Sequence, residues 1–329
     1  MRCQLILFFV AIFGFVSESP AQSLFQAVQD GNVERVKSLL ESGSTANASR
    51  ENGITAIFAA DNLEIVDLLL SHGAKLNIRC SGTIQSPIEH FAQQYYRDTE
   101  NQDKWKKIVE RLRKAGAEYT IDTAIYLNDI EFVRELLAQD TSWVNDRKKA
   151  QSVPLKVAAD TGRTEICKLL LEHKADPDSF EKGNGFPIMV YAVKHPAVVK
   201  LLIENGANLK RRITWMGQSS GDGVVKNEAT SLHYAVWEGN LESVKLLIAA
   251  GLDSNAADVE GRTPLHIAIR SERWPHLGER DTASFEKIIR YLIENEASLR
   301  FTDKERKTPL KLAAELESPE SILQALRKR

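Results

Sequence analysis

Apolar residues recur in this chain with the spacing of amphipathic helices, and the helices themselves recur with a longer period. One apolar stripe begins with Pro-Leu and continues in small residues, as in 154–159, and a second stripe ends in glycine, as in 244–251. A period of about 33 residues made of a turn and two helices is typical of a stacked helical repeat. One such unit cannot bury both stripes, so neighbouring units must bury them mutually.

Related copies of the pattern cover nearly all of the chain after residue 21. The segment Thr-Pro-Leu-His at 263–266 has counterparts at 153–155, 231–233 and 308–310. This pattern resembles the ankyrin repeat, in which a β-turn precedes two antiparallel helices. The resemblance implies an all-α ankyrin-repeat solenoid of about nine units over 22–329.

The chain departs from the repeat pattern in four places. Extra residues at 93–101, 209–229 and 271–283 predict loop insertions. The unit that begins at Ile121 has almost no turn before it. A repeat without its β-turn can stack at an unusual angle, and residue 119 is where such stacking would split the array. One continuous array is the main interpretation, and a bent or two-segment array is the alternative.

The first 21 residues predict a secretory signal peptide. An uncharged, largely apolar run from Leu5 to Val16 follows Arg2, and Ser19 and Ala21 supply the small residues that a signal peptidase reads. The run is too short to span a bilayer comfortably, and an uncleaved anchor is the alternative. We expect a secreted or periplasmic mature chain without membrane insertion. The periplasm is favoured because exported arrays of this kind resemble bacterial envelope proteins.

Composition and charge argue against several classes of partner. The chain is 43% hydrophobic and 27% charged with a net charge of −2, which excludes wholesale disorder and gives no electrostatic reason to expect nucleic acid. The densest basic segment, 104–114, contains Trp105. We interpret it as the outer face of a second helix and expect no nucleic-acid partner.

The sequence contains no recognisable catalytic, cofactor or metal motif. Two of the seven histidines, His233 and His266, stand in the Pro-Leu-His position, where the ring is expected to tie neighbouring turns together. Cys80 and Cys167 belong to different units, so we expect both to be unpaired. We therefore expect a non-enzymatic protein without a cofactor or a bound metal.

The resemblance also implies where a partner binds, because ankyrin-like arrays bind through turn tips and the exposed face of the first helices. The first-helix candidates are Tyr126, Asp160, Trp237, Arg270 and Glu315, and the turn candidates are Lys148, Lys149, Glu260 and Arg262. Trp237 is the strongest candidate because Ala235 already fills the small core position and exposed tryptophans anchor interfaces. Alternatively, Trp237 covers the base of the 209–229 loop.

The predicted function is a protein–protein interaction scaffold in an exported compartment. Its unidentified protein partner would bind the turns and the concave first-helix face. The alternative is an enzyme or small-ligand-binding protein whose site is formed by the loops 209–229 and 271–283, since loops of this length are often functional. Self-association is a further alternative.

The signal-peptide hypothesis gives a direct test. Cleavage is expected after Ala21, so N-terminal sequencing of the exported protein should begin at Gln22. Recovery of a chain that still begins at Met1 from membrane fractions would instead support the anchor.

Overall fold

A computed structural model describes residues 20–50, 54–78, 86–146, 152–179, 186–213, 228–271 and 282–327. The chain divides into two compact units, one that ends at Tyr119 and one that begins at Thr120. Both units consist of helix pairs in the residues described, and this architecture confirms the predicted all-α class.

The first unit contains three helix pairs in its described part. Its helices are α1 (Pro20–Gln29), α2 (Val33–Glu41), a 3-10 helix (Ala56–Ala59), α3 (Leu63–Ser71), α4 (Pro87–Arg97) and α5 (Gln102–Lys114). In the second pair a single 3-10 turn takes the place of the first helix, because few residues separate Thr55 from the Asn62 cap of α3.

The insertion predicted at 93–101 is a helix extension rather than a loop. Residues up to Arg97 continue α4, and α5 starts at Gln102, so the intervening turn is short. The prediction was wrong here because the added residues bring no helix-breaking Gly or Pro. Both helices of this pair are consequently longer than those of the other first-unit pairs.

The second unit contains six helix pairs in the residues described. Its helices are α6 (Ile121–Leu127), α7 (Ile130–Gln139), a 3-10 helix (Thr141–Val144), α8 (Pro154–Asp160), α9 (Thr164–Glu172), α10 (Ile188–Ala192), α11 (Pro196–Glu204), α12 (Ser231–Trp237), α13 (Leu241–Ala249), α14 (Pro264–Ser271), α15 (Thr282–Glu294), α16 (Pro309–Glu315) and α17 (Glu320–Arg327). The first helices stack in the order α6, α8, α10, α12, α14, α16, and the second helices stack in the order α7, α9, α11, α13, α15, α17.

Local sequence signals explain where these helices begin. Pro154 and Pro309 occupy the first turn of first helices, where a missing N–H costs nothing. The second helices α2, α3, α7 and α13 begin after a capping side chain, and at α7 Oδ1 of Asp129 accepts the N–H of Phe132 at 3.1 Å. Capping by such side chains stabilises a helix by about 1 kcal/mol.

Two histidines connect successive turns. The backbone N–H of Thr230 donates to Nδ1 of His233 at 3.1 Å, and Nε2 of His233 lies 3.0 Å from the carbonyl oxygen of Arg262. Nδ1 is therefore an acceptor and Nε2–H a donor, which requires the neutral ring. His266 makes the same contacts with Thr263 and the carbonyl of Lys307.

Asparagines connect the other ends of the turns. Nδ2 of Asn145 donates to the carbonyl of Lys174 at 2.8 Å, and its Oδ1 accepts the N–H of Asp176 at 3.0 Å. Asn47, Asn77 and Asn255 make the same pair of hydrogen bonds, one donated and one accepted. An amide side chain suits this position because it supplies a donor and an acceptor together.

The core between second helices gives a stability prediction. Leu247 on α13 is fully buried, whereas its neighbour Leu246, which the apolar pattern favours equally, is only half-buried. Leu247→Ala should lower the free energy of unfolding by about 2–5 kcal/mol, because it leaves a cavity between stacked helices. Leu246→Ala is the matched control and should cost clearly less in chemical denaturation. Equal losses would contradict this orientation of α13.

The buried histidines give a pH prediction. Burial lowers the pKa of His233 from 6.5 to about 4, since the charged ring would lose both its solvation and its Nδ1 acceptor role. The unfolded chain therefore binds more protons below pH 6.5, and stability should fall as the pH drops from 6.5 towards 4. The loss from His233 is on the order of 3 kcal/mol, measurable by denaturation at several pH values.

Two glutamine variants isolate this effect. His233→Gln removes this titrating group and should make the dependence of stability on pH between 7 and 4 less steep, while His266, whose pKa burial also lowers, remains. His72→Gln, at an exposed helix end, should keep the wild-type dependence. If His233→Gln loses stability with acid as steeply as the parent, His233 is not the group responsible.

Candidate protein-binding surface

Most of the predicted first-helix candidates lie along one edge of the second unit's stack, at the C-terminal ends of successive first helices. Asp160, Trp237 and Glu315 are the last residues of α8, α12 and α16, and Arg270 is next to last in α14. Each follows two residues after a fully buried alanine, so their side chains share one position in each pair. Tyr126 is next to last in α6.

Lys194 also belongs to this row, and sequence reasoning missed it. It follows two residues after the buried Ala192, and its Nζ lies 3.8 Å from Oε1 of Glu238. The first helix of this pair is only five residues long, and its alignment to the repeat is ambiguous by one residue from sequence. The buried alanine is the signal that could have resolved the ambiguity.

The backbone of this row is held by the following pair. Nη2 of Arg163 donates to the carbonyl of Tyr126 at 2.7 Å, and Nδ2 of Asn240 donates to that of Lys194 at 3.0 Å. Nε2 of His195 lies 3.1 Å from the carbonyl oxygen of Asp160. The row is therefore fixed in position before any partner arrives.

Gly162 is required beside this row. Its φ is +68°, and a Cβ at this position would lie 2.5 Å from Nδ1 of His195. Both the backbone conformation and the space exclude a side chain. The glycine lets the histidine reach back to Asp160.

Four half-buried aromatic residues form the central part of the surface. We call Phe186, Tyr191, Tyr234 and Trp237 the aromatic row. Phe186 contacts Tyr191 and Tyr234 edge to face, with ring centroids 6.3 and 5.8 Å apart, and Tyr234 contacts Trp237 at 6.0 Å. Nζ of Lys156 lies 4.7 Å from the centroid of Tyr191. Edge-to-face contacts of this kind hold each ring in a defined orientation.

Ile213 and Ala229, from the two ends of the 209–229 insertion, lie beneath two of these rings. Phe186 and Tyr234 pack against a buried cluster of Val190, Ile213 and Ala229. The N–H of Ile213 donates to the carbonyl of Ala229 at 2.9 Å, which closes the loop. Burial raises the pKa of Tyr234 to about 12.

The loop residues themselves, 214–227, and the second insertion at 272–281 lie outside the described residues. A site formed by the two loops therefore stays a prediction. Of the residues described, Tyr234 packs over the loop ends, while Trp237 contacts Tyr234.

At the C-terminal end of the surface the predicted candidates are engaged in ion pairs. Arg270 lies 3.4 Å from Asp303 and 4.0 Å from Glu305, and Nζ of Lys307 lies 2.8 Å from Glu305 and 2.6 Å from Glu315. The pairs of Lys307 with Glu305 and Glu315 are partly exposed, and such pairs contribute little to stability individually. Asp303, in contrast, is buried in its pair with Arg270. Together these pairs neutralise Arg270 and Glu315 within the chain.

The turn candidates Glu260 and Arg262 are held through their backbone carbonyls, one by the next turn and one by α12. The carbonyl of Glu260 accepts the N–H of Lys304 at 2.9 Å, and the carbonyl of Arg262 accepts from His233. Gly261 between them has a φ of +72°, and a Cβ there would lie 3.3 Å from the backbone of Asp303. Lys148 and Lys149 lie outside the described residues.

The basic segment of the first unit is partly neutralised. Trp105 is buried, and its Nε1 donates to Asp98 at 2.9 Å. Arg111 forms an ion pair with Asp67, and Lys104 lies 3.6 Å from Asp61. This arrangement places the tryptophan in the core, where it cannot stack on a base.

Two matching family models identify the repeats. One, described as "Ankyrin repeats (3 copies)", matches residues 121–213 and 216–277, and another, described as "Ankyrin repeat", matches 52–81 and 260–304. Together they cover more than half of the sequence. The chain belongs to the ankyrin-repeat family.

Several curated proteins are similar to this ankyrin-repeat chain. The putative E3 ubiquitin-protein ligase XBAT31 of Arabidopsis thaliana is 31% identical over 175 residues, which are 47% of this chain and 35% of that protein. The nuclear factor NF-kappa-B p105 subunit of Gallus gallus is 28% identical over 217 residues, 63% of this chain and 20% of that protein. The B-cell lymphoma 3 protein homolog of Mus musculus is 34% identical over 121 residues, which are 36% of this chain and 24% of that protein.

The chain thus spans about a third or less of the length of these relatives. The ankyrin repeats imply protein–protein interaction and are typically non-enzymatic. The activities in the relatives' names belong to those whole proteins.

The described part of the ankyrin array offers little metal or thiol chemistry. It holds no group of three or more histidine, cysteine or acidic side chains arranged to bind a metal. Cys167 is buried and has no disulfide partner among the residues described, and burial raises its pKa to about 12. Cys80 lies outside them. None of the helices described has the length and hydrophobicity needed to cross a membrane.

Proposed function

We propose that this protein is a non-enzymatic scaffold that binds a protein partner through the aromatic row and the neighbouring turns, in an exported compartment. The aromatic row carries the proposal. Sequence reasoning singled out Trp237 alone and missed Phe186, Tyr191 and Tyr234. The two tyrosines occupy the same position, immediately before a buried alanine, in consecutive pairs.

The aromatic row has the physical properties of an interface anchor. Tryptophan and tyrosine are enriched among the residues that dominate binding energy, because they bury much area with few torsions to freeze. Here the rings are half-exposed and already ordered by mutual contacts and by the stacked helices beneath them. A partner would therefore bind a preorganised surface at a low entropic cost.

The flanks of the row favour a protein partner over a polyanion. Positive groups along the first-helix ends are paired with negative ones, as Lys194 is with Glu238 and Arg270 is with Asp303. Nucleic acid requires a continuous basic surface. The proposed partner is accordingly a folded protein or a peptide.

The compartment is proposed from the N-terminal sequence alone. Its apolar run and small-residue cleavage site favour export to the periplasm or the exterior. Membrane insertion of the mature chain is not part of the proposal.

Truncation of one ring tests the anchor. Trp237→Ala should weaken partner binding by on the order of 2 kcal/mol, because interface anchors of this type contribute that much. The thermal midpoint should change little, because the side chain is only half-buried and lies at a helix end. Pull-down from the native envelope fraction and thermal melting should be measured on the same preparation.

A second aromatic residue provides the control. Phe301 is 50% exposed and lies outside the aromatic row, so Phe301→Ala should leave the pull-down unchanged. If Trp237→Ala melts early while its folded fraction still captures the partner, the ring supports the fold and is not the anchor.

A further inference from the structure

The pairs α12/α13 and α14/α15 are each followed by a turn that begins with a buried aspartate. Oδ1 of Asp258 accepts the N–H groups of Glu260 and Arg262 at 2.8 and 2.9 Å. Asp303 accepts the N–H groups two and four residues later in the same way, both at 3.0 Å. One carboxylate oxygen therefore holds the turn in each case, and the second oxygen remains for another partner.

The two histidine bonds fix the correspondence between these turns and the preceding helices. His233 bonds to the carbonyl of the residue four after Asp258, and His266 bonds to the carbonyl of the residue four after Asp303. Trp237 follows His233 by four residues, as Arg270 follows His266. Trp237 thus stands where the next pair has an arginine.

This exchange leaves Oδ2 of Asp258 without the arginine contact that Asp303 receives, among the residues described. Nη2 of Arg270 lies 3.4 Å from Oδ2 of Asp303. Asp258 is only 6% exposed, and its Oδ2 is buried without a hydrogen-bond partner in the part of the chain described. Burial raises the pKa of Asp258, while the backbone bonds and charge of Arg262 lower it. A buried carboxylate oxygen without a partner is costly, and an approaching cation would relieve that cost.

We propose that Trp237 and Asp258 form a binding position for the guanidinium group of an arginine side chain from the protein partner. The guanidinium would stack on the indole and pair with Oδ2, the two contacts for which its planar charged group is suited. Arg270 beside Asp303 is the intramolecular model of the occupant. Admission of the group requires the half-exposed indole to turn about its side-chain torsions.

This inference rests on the proposed function and specifies the chemistry of the partner. It predicts that a partner segment bearing an arginine docks at the end of α12. A neutral side chain of the same shape would gain the stacking contact and not the charge contact.

The test is an NMR titration of the full-length chain with N-acetyl-arginine amide, compared with N-acetyl-citrulline amide. The arginine derivative should shift the indole signal of Trp237 and the backbone amides of Glu260 and Arg262 saturably. Citrulline, which has the same shape without the charge, should bind at least tenfold more weakly. Absence of a saturable arginine response, or an equal response to citrulline, would overturn the proposal.

Two asparagine variants complete the test. Asp258→Asn keeps the oxygen that holds the turn and removes the charge, so it should lose the arginine response. Asp303→Asn, the matched control one turn later, should keep it because the cation of that turn is Arg270. Retention of the response in Asp258→Asn contradicts the proposal.

If Asp258→Asn does not fold, Trp237→Arg provides the alternative test. Its own guanidinium should occupy the position and abolish the amide shifts at Glu260 and Arg262, and unchanged shifts would contradict the proposal. If arginine fails to bind while Trp237→Ala still loses the partner, the scaffold function stands and only the arginine specificity is lost.

Discussion

The close approach of successive first helices is the constraint on which the second unit depends. One fully buried alanine per pair permits it: the residues are Ala124, Ala158, Ala192, Ala235, Ala268 and Ala313. A larger side chain there would separate the helices and break the bonds that connect the turns, since packed interiors tolerate little added volume. The histidine and asparagine bonds are made across the distance that these alanines set.

The same constraint determines what reaches the surface. Two residues after each alanine the helix has turned its side chain away from the neighbouring helix, so this position is free to vary. The residues at this position are Tyr126, Asp160, Lys194, Trp237, Arg270 and Glu315. The array therefore offers a row of positions with a fixed backbone and independent side chains, which suits recognition of an extended partner.

Sequence reasoning predicted what depends on local periodicity and missed what depends on contacts between units. The helix pairs, the histidine position and Trp237 follow from spacing within one unit. The partners of Arg270 and Glu315 lie one turn further along the chain, so their ion pairs were not predictable from either residue alone. The helix extension to Arg97 was missed for a different reason, because length in excess of a repeat can lengthen a helix as readily as a loop.

The contrast between Trp237 and Arg270 is the basis for the proposed binding position. Arg270 forms an ion pair with Asp303 of the next turn. The charges of both groups are then used within the array rather than for binding a partner. When the same position holds Trp237, the carboxylate that corresponds to Asp303 is Asp258, and its Oδ2 has no hydrogen-bond partner in the part of the chain described. Natural sequences depart from local consistency chiefly where function requires it. The departure at Trp237 is therefore the reason why we propose partner binding at this part of the array.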